Sequence, residues 1–299
     1  MPGLKLELPF LGTAKWGHTV SELEAFDILD KFYEFGGRRI DTATNYPINS
    51  NPDDFGLALK WVIDWVSRNS ITNLNVYLKL GAANNLGSSK TNFQSNHLEE
   101  TIDDFIVRLG SNLTTIGIHW DNRDKASEET QEISKTIKLL NSYKTRELKL
   151  GFSGIKYPEI YFESNNIIND WIIQVKENIF TSDDRRKYSP YFPNAKFIAY
   201  GINSKNPNNE PIKRNIFKSF CQSNSGIAKT LNLESFFDLA LLFSFCNSSL
   251  DSYIAAPSSA SQLEQTINSL ILFESVKLQK SNRVEIYKKI KKLATRTYE

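Results

Sequence analysis

Apolar side chains recur at helical spacing in four successive segments of the first half of the chain, and this pattern predicts four helices. The four stripes are Leu23, Phe26, Leu29 and Phe32; Phe55, Leu59, Val62, Ile63 and Val66; Leu98, Ile102, Phe105 and Leu109; and Ile133, Ile137 and Leu140. Thr19 and Glu22 have capping-box spacing just before the first stripe, which places the start of that helix there. Further helices are predicted near 157–163 and over 212–221, 233–246 and 261–273.

Short runs rich in β-branched and aromatic residues alternate with these helices and predict eight strands. They lie within residues 9–17, 38–41, 75–81, 114–120, 148–154, 171–180, 195–203 and 251–259. Alternation of strand and helix favours parallel strands joined by helical crossovers, and eight such units fit a closed (β/α)8 TIM barrel. An open doubly wound sheet is the alternative fold, although the first strand-to-helix turn has no G-x-G-x-x-G motif.

No Pro-, Ser- or Gly-rich linker divides the chain, so residues 1–299 are predicted to form one domain. The segment 201–213 is interpreted as a long loop over one barrel mouth.

Charge and composition exclude several classes of function. With 36 basic and 34 acidic residues the net charge is +2, so a nucleic-acid partner is not expected. Residues 287–296 are locally basic and are interpreted as the solvated side of a helix. No signal-peptide core and no apolar run of membrane-spanning length occur, which predicts a cytoplasmic protein without a membrane partner. The two cysteines, Cys221 and Cys246, lie in apolar helical contexts without metal-ligand spacing, so neither a disulfide nor a metal is expected.

The alternation of strand residues places three ionisable side chains towards the barrel interior. Asp41, Lys79 and His119 lie near the ends of the second, third and fourth predicted strands, and Tyr46 follows Asp41 in the next loop. Active sites of this fold lie at the carboxyl ends of the strands. Singly, these residues could be a turn cap, a loop aromatic, a solvated lysine and a core histidine. Their agreement in strand order and strand end indicates a shared site, in which Asp41 neutralises the buried Lys79.

These residues carry a resemblance to the aldo-keto reductase superfamily. The segments "FLGTAKWG", "RRIDTATNY", "VYLKLG", "VRLGSNLTTIGIHW" and "LKLGFSG" are similar to successive motifs of that family along nearly the whole chain. The resemblance implies that the family's catalytic tetrad corresponds to Asp41, Tyr46, Lys79 and His119. It further implies reduction of an aldehyde or ketone with NADP or NAD, in which Tyr46 protonates the carbonyl oxygen. Lys79 is expected to favour ionisation of this phenol, and His119 to orient the substrate as a neutral donor.

The resemblance also implies cofactor contacts. Ser153 and Gln174 match positions that hold the nicotinamide carboxamide, Tyr200 matches the aromatic that stacks on the nicotinamide, and the phosphate-binding segment retains Ser258, Ser259 and Gln262. Four positions depart from the family pattern, namely Gly154 for Asn, Ala256 for Gly or Lys, Gln262 for a frequent Arg, and Thr266 for Asn. Without an Arg for the adenosine 2′-phosphate, a preference for NADPH over NADH is not supported, although a basic residue of another loop could substitute.

Two tryptophans are candidates for the wall of the substrate pocket. Trp16, after the first strand, is the favoured one, whereas parity favours helix-facing core for Trp120. The loops 81–96 and 201–213 are polar and rich in Asn, which suggests a sugar-type carbonyl substrate. Two further functions remain open, a sugar or polyol dehydrogenase acting in the oxidative direction and a non-catalytic nucleotide-binding scaffold or sensor. The sequence leaves the oligomeric state open, a monomer included.

Overall fold

Eight parallel strands close into a barrel in the computed structural model, which describes residues 7–88, 90–164, 170–203 and 210–296. Each strand pairs with the next one in the chain, and β8 closes the ring against β1. The strands are β1 (Phe10–Gly12), β2 (Arg39–Ala43), β3 (Asn75–Leu80), β4 (Leu113–His119), β5 (Lys149–Ser153), β6 (Ile172–Lys176), β7 (Lys196–Tyr200) and β8 (Ser252–Ala255). All eight predicted strands and the predicted (β/α)8 barrel are confirmed, and the open sheet is wrong.

The described residues also form eleven α-helices around the barrel. They are α1 (Glu22–Glu34), α2 (Leu57–Arg68), α3 (Ser95–Leu109), α4 (Ser127–Ser142), α5 (Pro158–Ser164), α6 (Asp183–Tyr188), α7 (Glu210–Ser223), α8 (Ser225–Thr230), α9 (Phe236–Cys246), α10 (Ala260–Ser275) and α11 (Lys280–Arg296). The sequence did not predict α6 and α8, because six residues are too few to display a helical repeat. None of the helices in these ranges is long and apolar enough to cross a bilayer.

The start of α1 differs from the prediction by two residues. Its N-cap is Ser21, whose hydroxyl accepts a hydrogen bond from the Glu24 amide while the Glu24 carboxylate accepts one from the Ser21 amide. The predicted capping box from Thr19 to Glu22 is therefore wrong. Val20 is buried and forms a β-bridge with Trp16, so the chain is still in a turn at residue 19. The capping box has the same spacing but begins two residues later than predicted. The second stripe likewise begins too early, because α2 starts at Leu57.

The barrel interior holds Tyr77, which packs in one apolar cluster with Phe10, Ile198 and Ile254. The Tyr77 ring lies across Gly117 and Gly151 of the two following strands, and its hydroxyl donates to the Ile172 carbonyl at 3.1 Å. A Cβ atom at Gly151 would collide with both the Tyr77 hydroxyl and the Ile172 carbonyl. Tyr77 precedes Lys79 by two residues on β3, so this packed layer supports the polar groups at the mouth.

Candidate active site

Four side chains from consecutive elements meet at the carboxyl end of the barrel. Asp41 lies on β2, Lys79 on β3 and His119 at the end of β4, while Tyr46 belongs to the loop after β2. The Lys79 Nζ lies 2.7 and 2.9 Å from the two Asp41 carboxylate oxygens and 2.9 Å from the Tyr46 hydroxyl. All four side chains are buried. The opposite charges of Lys79 and Asp41 therefore compensate each other for the hydration that both lose on burial. The structure thus brings the four predicted residues together.

Asparagine side chains fix the loop that carries Tyr46. Asn85, which is buried, donates to the Asn49 side-chain oxygen at 3.2 Å and to the Asn51 carbonyl. Asn49 in turn donates to the Gly17 carbonyl at 3.3 Å. The loops after β1, β2 and β3 are thereby joined. The Asn85 and Asn49 side chains therefore form hydrogen bonds between loops.

Burial and neighbouring charges set the protonation of the pair Lys79 and Tyr46. Burial raises the pKa of the Tyr46 phenol, and the Lys79 charge only partly opposes this, so the pKa lies above its ordinary value. Burial lowers the pKa of Lys79, but the Asp41 carboxylate more than compensates and raises it overall. The expectation that Lys79 makes the phenol easy to ionise is therefore offset by burial. At neutral pH the phenol keeps its proton beside a charged ammonium group.

His119 is neutral and has one unpartnered ring nitrogen. Burial, with a smaller effect of the Lys79 charge, lowers the pKa of His119 well below its ordinary value. Its Nδ1 is buried and has no hydrogen-bond partner among the described residues. Its ring lies edge-on to Tyr46, with 5.7 Å between ring centroids. A neutral imidazole protonated on Nε2 would leave Nδ1 as a bare acceptor and offer an N–H donor beside the phenol.

The two tryptophans differ in burial. Trp16 is fully buried and packs in the main apolar cluster. Trp120, expected to be helix-facing core, is only partly buried and packs on His119 with 4.3 Å between ring centroids. Strand β4 ends at His119 and Trp120 has φ +59°, so the alternation of sides stops one residue before it.

Gly154, one of the departures from the family pattern, is explained by Trp120. It has φ +77°, and a Cβ atom there would lie 3.0 Å from the Trp120 Cδ1. The indole therefore uses the space of a side chain at this position. A larger residue at 154 would require Trp120 to move.

The two residues matched to carboxamide binding occupy different settings. Ser153 ends β5 and is buried beside the mouth. Gln174 on β6 is also buried, and its side-chain amide contacts the ion pair, donating to Asp41 at 2.6 Å and accepting from Lys79 at 3.3 Å. Both residues therefore lie at the barrel mouth, and Gln174 is already part of the hydrogen-bond network of the tetrad.

A large cavity of about 1010 Å³ runs from the barrel mouth outwards along α9 and α10. Its lining includes Tyr200, the last residue of β7, together with Lys15 and Lys176. Gln265 and Leu272 of α10 also line it. Its volume is near the upper end of the range of small-molecule and cofactor sites. Sequence reasoning missed both lysines, although Lys15 lies within the first predicted strand segment and Lys176 within the sixth, and position near a strand end is the signal that could have located them.

The segment before α10 satisfies much of its own hydrogen bonding. Ser259 caps the helix by accepting from the Gln262 amide at 3.2 Å, and the Gln262 side chain accepts from the Ser258 amide at 2.9 Å. Lys15 Nζ donates to the Ala256 carbonyl at 3.0 Å and the Ser258 hydroxyl at 3.1 Å. The loop after β1 therefore brings a cation to this segment.

A second cavity, of about 450 Å³, opens on the other side of Tyr200. The lining of this outer pocket includes Trp120 and Gly154. It also includes the more polar residues Asn122, Ser88, Lys156 and Lys187. Tyr200 thus contributes to the lining of both cavities.

Comparisons with known proteins agree on one family. The model of the aldo/keto reductase family matches residues 10–285. The fold is similar to that of an aldo-keto reductase from Bacillus halodurans in its holo form, with a TM-score of 0.66 and 19% sequence identity, over 96% of this chain and 91% of that one. No curated protein matches the chain.

Proposed function

The chain belongs to the aldo/keto reductase family, and we propose that it reduces an aldehyde or ketone with Tyr46 as the proton donor. One observation carries this proposal. The Lys79 ammonium group, buried and held by Asp41, lies 2.9 Å from the phenol that would lose the proton.

Tyr46 suits the role of a general acid. Its raised pKa keeps the proton on the phenol at neutral pH, and Lys79 donates to the phenol oxygen rather than competing for its proton. When the proton passes to a carbonyl oxygen, the phenolate that remains faces the Lys79 ammonium group. This charge is then stabilised in a buried site, where an electrostatic interaction is stronger than in water.

His119 would orient the carbonyl group. A neutral imidazole beside Tyr46 can donate its Nε2 proton to the same oxygen without adding a charge to a site that already holds Lys79. Because Nδ1 is enclosed, the ring can present only the other nitrogen to the substrate.

The larger cavity fits a nicotinamide nucleotide, which supplies the hydride when it is bound. Tyr200 would contact the nicotinamide ring, while Ser153 and Gln174 would contact its carboxamide. Lys15 and Lys176 would pair with the diphosphate.

We expect no preference for NADPH over NADH. The cavity lining given by the described residues contains Lys15 and Lys176 as cations, together with the carboxylates of Glu234 and Asp238. Two ammonium groups match the two charges of a diphosphate, and the uncharged Gln262 cannot neutralise a further phosphate. Fluorescence titration with both nucleotides tests this expectation, and clearly tighter binding of NADPH would contradict it.

The proposed substrate is a hydroxylated, sugar-type carbonyl compound. Support comes from the outer pocket, where the Trp120 ring lies among the polar side chains of Asn122, Ser88 and Lys156. An aromatic face and hydrogen-bonding groups suit a polyhydroxylated molecule. Thermal-shift and turnover measurements with sugars and nucleotide sugars, against simple aromatic aldehydes, test this choice. Turnover of the aromatic aldehydes alone would refute the sugar-type substrate and leave carbonyl reduction intact.

The substitution Tyr46→Phe tests the proposed reaction. It keeps the ring and removes the proton, so turnover should fall by about 10²- to 10⁴-fold while nucleotide affinity is retained. A protein that binds nucleotide but shows no turnover in either direction would instead be a binding module. Activity measured with alcohols and oxidised nucleotide determines the direction, because the same groups serve both directions.

A further inference from the structure

We propose that Gln174 is a positioning residue for proton transfer, acting through Asp41 and Lys79 in addition to its expected contact with the nicotinamide. This inference rests on the proposed function. Gln174 lies on β6, whereas the ion pair lies on β2 and β3, so its side chain reaches the pair from the far side of the barrel interior. It donates to the Asp41 Oδ1 at 2.6 Å and accepts from the Lys79 Nζ at 3.3 Å.

The Lys79 ammonium group is surrounded by acceptors. Its three N–H donors face four oxygen atoms, those of the Asp41 carboxylate at 2.7 and 2.9 Å, the Tyr46 hydroxyl at 2.9 Å and the Gln174 side-chain oxygen at 3.3 Å. The amide has a single compatible orientation, because its NH2 must face the carboxylate and its oxygen must face the ammonium group. Gln174 therefore neutralises no charge, but it satisfies one group on each partner of the ion pair.

This placement fixes the direction in which Lys79 points. With the Asp41 carboxylate and the Gln174 oxygen as its other acceptors, the lysine directs an N–H at the Tyr46 oxygen. All of these side chains are buried, so water does not replace a missing partner. Loss of Gln174 would leave Asp41 and Lys79 each without one hydrogen bond and would make the charged form of Lys79 less favourable.

The test variant is Gln174→Met, which keeps the length of the side chain and removes both hydrogen-bonding groups. We expect kcat to fall by about ten- to a hundredfold, as for loss of hydrogen bonds to charged groups. With a less favourable ammonium group, the ionisation of Tyr46 should move to higher pH. This ionisation is measured without nucleotide, as the ultraviolet tyrosinate signal that is lost on adding Tyr46→Phe to the same protein.

Ser153→Ala is the matched control. Ser153 is matched to the same carboxamide but has no hydrogen bond to Asp41 or Lys79 within the described residues. It should weaken nucleotide binding and leave the Tyr46 ionisation unchanged. If Gln174→Met behaves in the same way, with only nucleotide affinity altered, the positioning role is refuted.

A second variant covers the case in which Gln174→Met fails to fold. Gln174→Glu keeps the length and an acceptor for Lys79 but places a carboxylate against Asp41, so it should also raise the pH at which Tyr46 ionises. An unchanged ionisation in this variant would equally refute the proposal. The proposed function has its own test, because it fails if the single variant Tyr46→Phe keeps full turnover.

Discussion

The proposed proton-transfer half of the site and the proposed nucleotide half are built in different ways. In the first half, Lys79 donates hydrogen bonds to Asp41 and Tyr46 of other elements, and all three side chains are buried. In the second, Ser259 and Gln262 are bonded within one helix start and lie nearer the surface. The four positions matched to the tetrad keep the family pattern, whereas the segment before α10 departs from it at Ala256, Gln262 and Thr266.

The largest effect is expected from breaking the buried pair. Lys79→Met leaves the Asp41 carboxylate buried without its cation, so the free energy of unfolding should fall by about 3–5 kcal/mol. Adding Asp41→Asn removes the isolated charge and should restore much of the stability without restoring turnover. Urea unfolding and turnover measurements of both variants check this. If Lys79→Met alone is as stable as the native protein, Asp41 does not depend on Lys79 for its stability in the fold.

The support beneath the tetrad is tested next. Gly151→Ala places a methyl group against the Tyr77 ring and the Ile172 carbonyl. The free energy of unfolding should therefore fall by about 1–3 kcal/mol. Gly226→Ala is the control, because nothing lies within 4 Å of its Cβ position in α8. That change should be neutral or stabilising by up to about 1 kcal/mol. Equal effects of the two substitutions would show that the barrel floor is not tightly packed.

His119 should make the free energy of unfolding of the protein depend on pH. Its pKa is about 6.5 in an unfolded chain and well below that in the folded protein, because burial disfavours the imidazolium. As the pH falls below about 6.5, the unfolded chain binds the proton and the folded one does not. The free energy of unfolding should then decrease by up to about 1.4 kcal/mol per pH unit. His119→Phe should flatten this dependence in denaturant unfolding from pH 7 to 5, and an unchanged slope would refute it.

The smallest effect concerns the nucleotide half. Gln262→Arg adds a cation to the first turn of α10, next to Ser258, and should tighten NADPH binding by about tenfold relative to NADH. Gln262→Leu, which adds no charge, is the control and should leave the ratio of the two dissociation constants unchanged. If the arginine leaves the ratio of the NADPH and NADH dissociation constants unchanged, the adenosine 2′-phosphate does not bind near residue 262.

The barrel, its eight strands and the chain order of the four proposed tetrad residues could be predicted from the amino-acid sequence alone. The helices and strands follow from the spacing of apolar residues along the chain. Asp41, Lys79 and His119 are placed at one barrel mouth because each points inward near the carboxyl end of its strand. Parity could not place Trp120, because β4 ends one residue before it.

Contacts between distant segments could not be predicted and are known from the three-dimensional fold. Lys15 reaches the segment before α10, Gln174 crosses to the ion pair, and Trp120 rather than Trp16 lines the outer pocket. Burial likewise outweighs the expected effect of Lys79 on the pKa of Tyr46, since a neighbouring lysine is visible in the sequence but the loss of solvent is not. These features depend on which side chains meet in space, which periodicity along a chain does not encode.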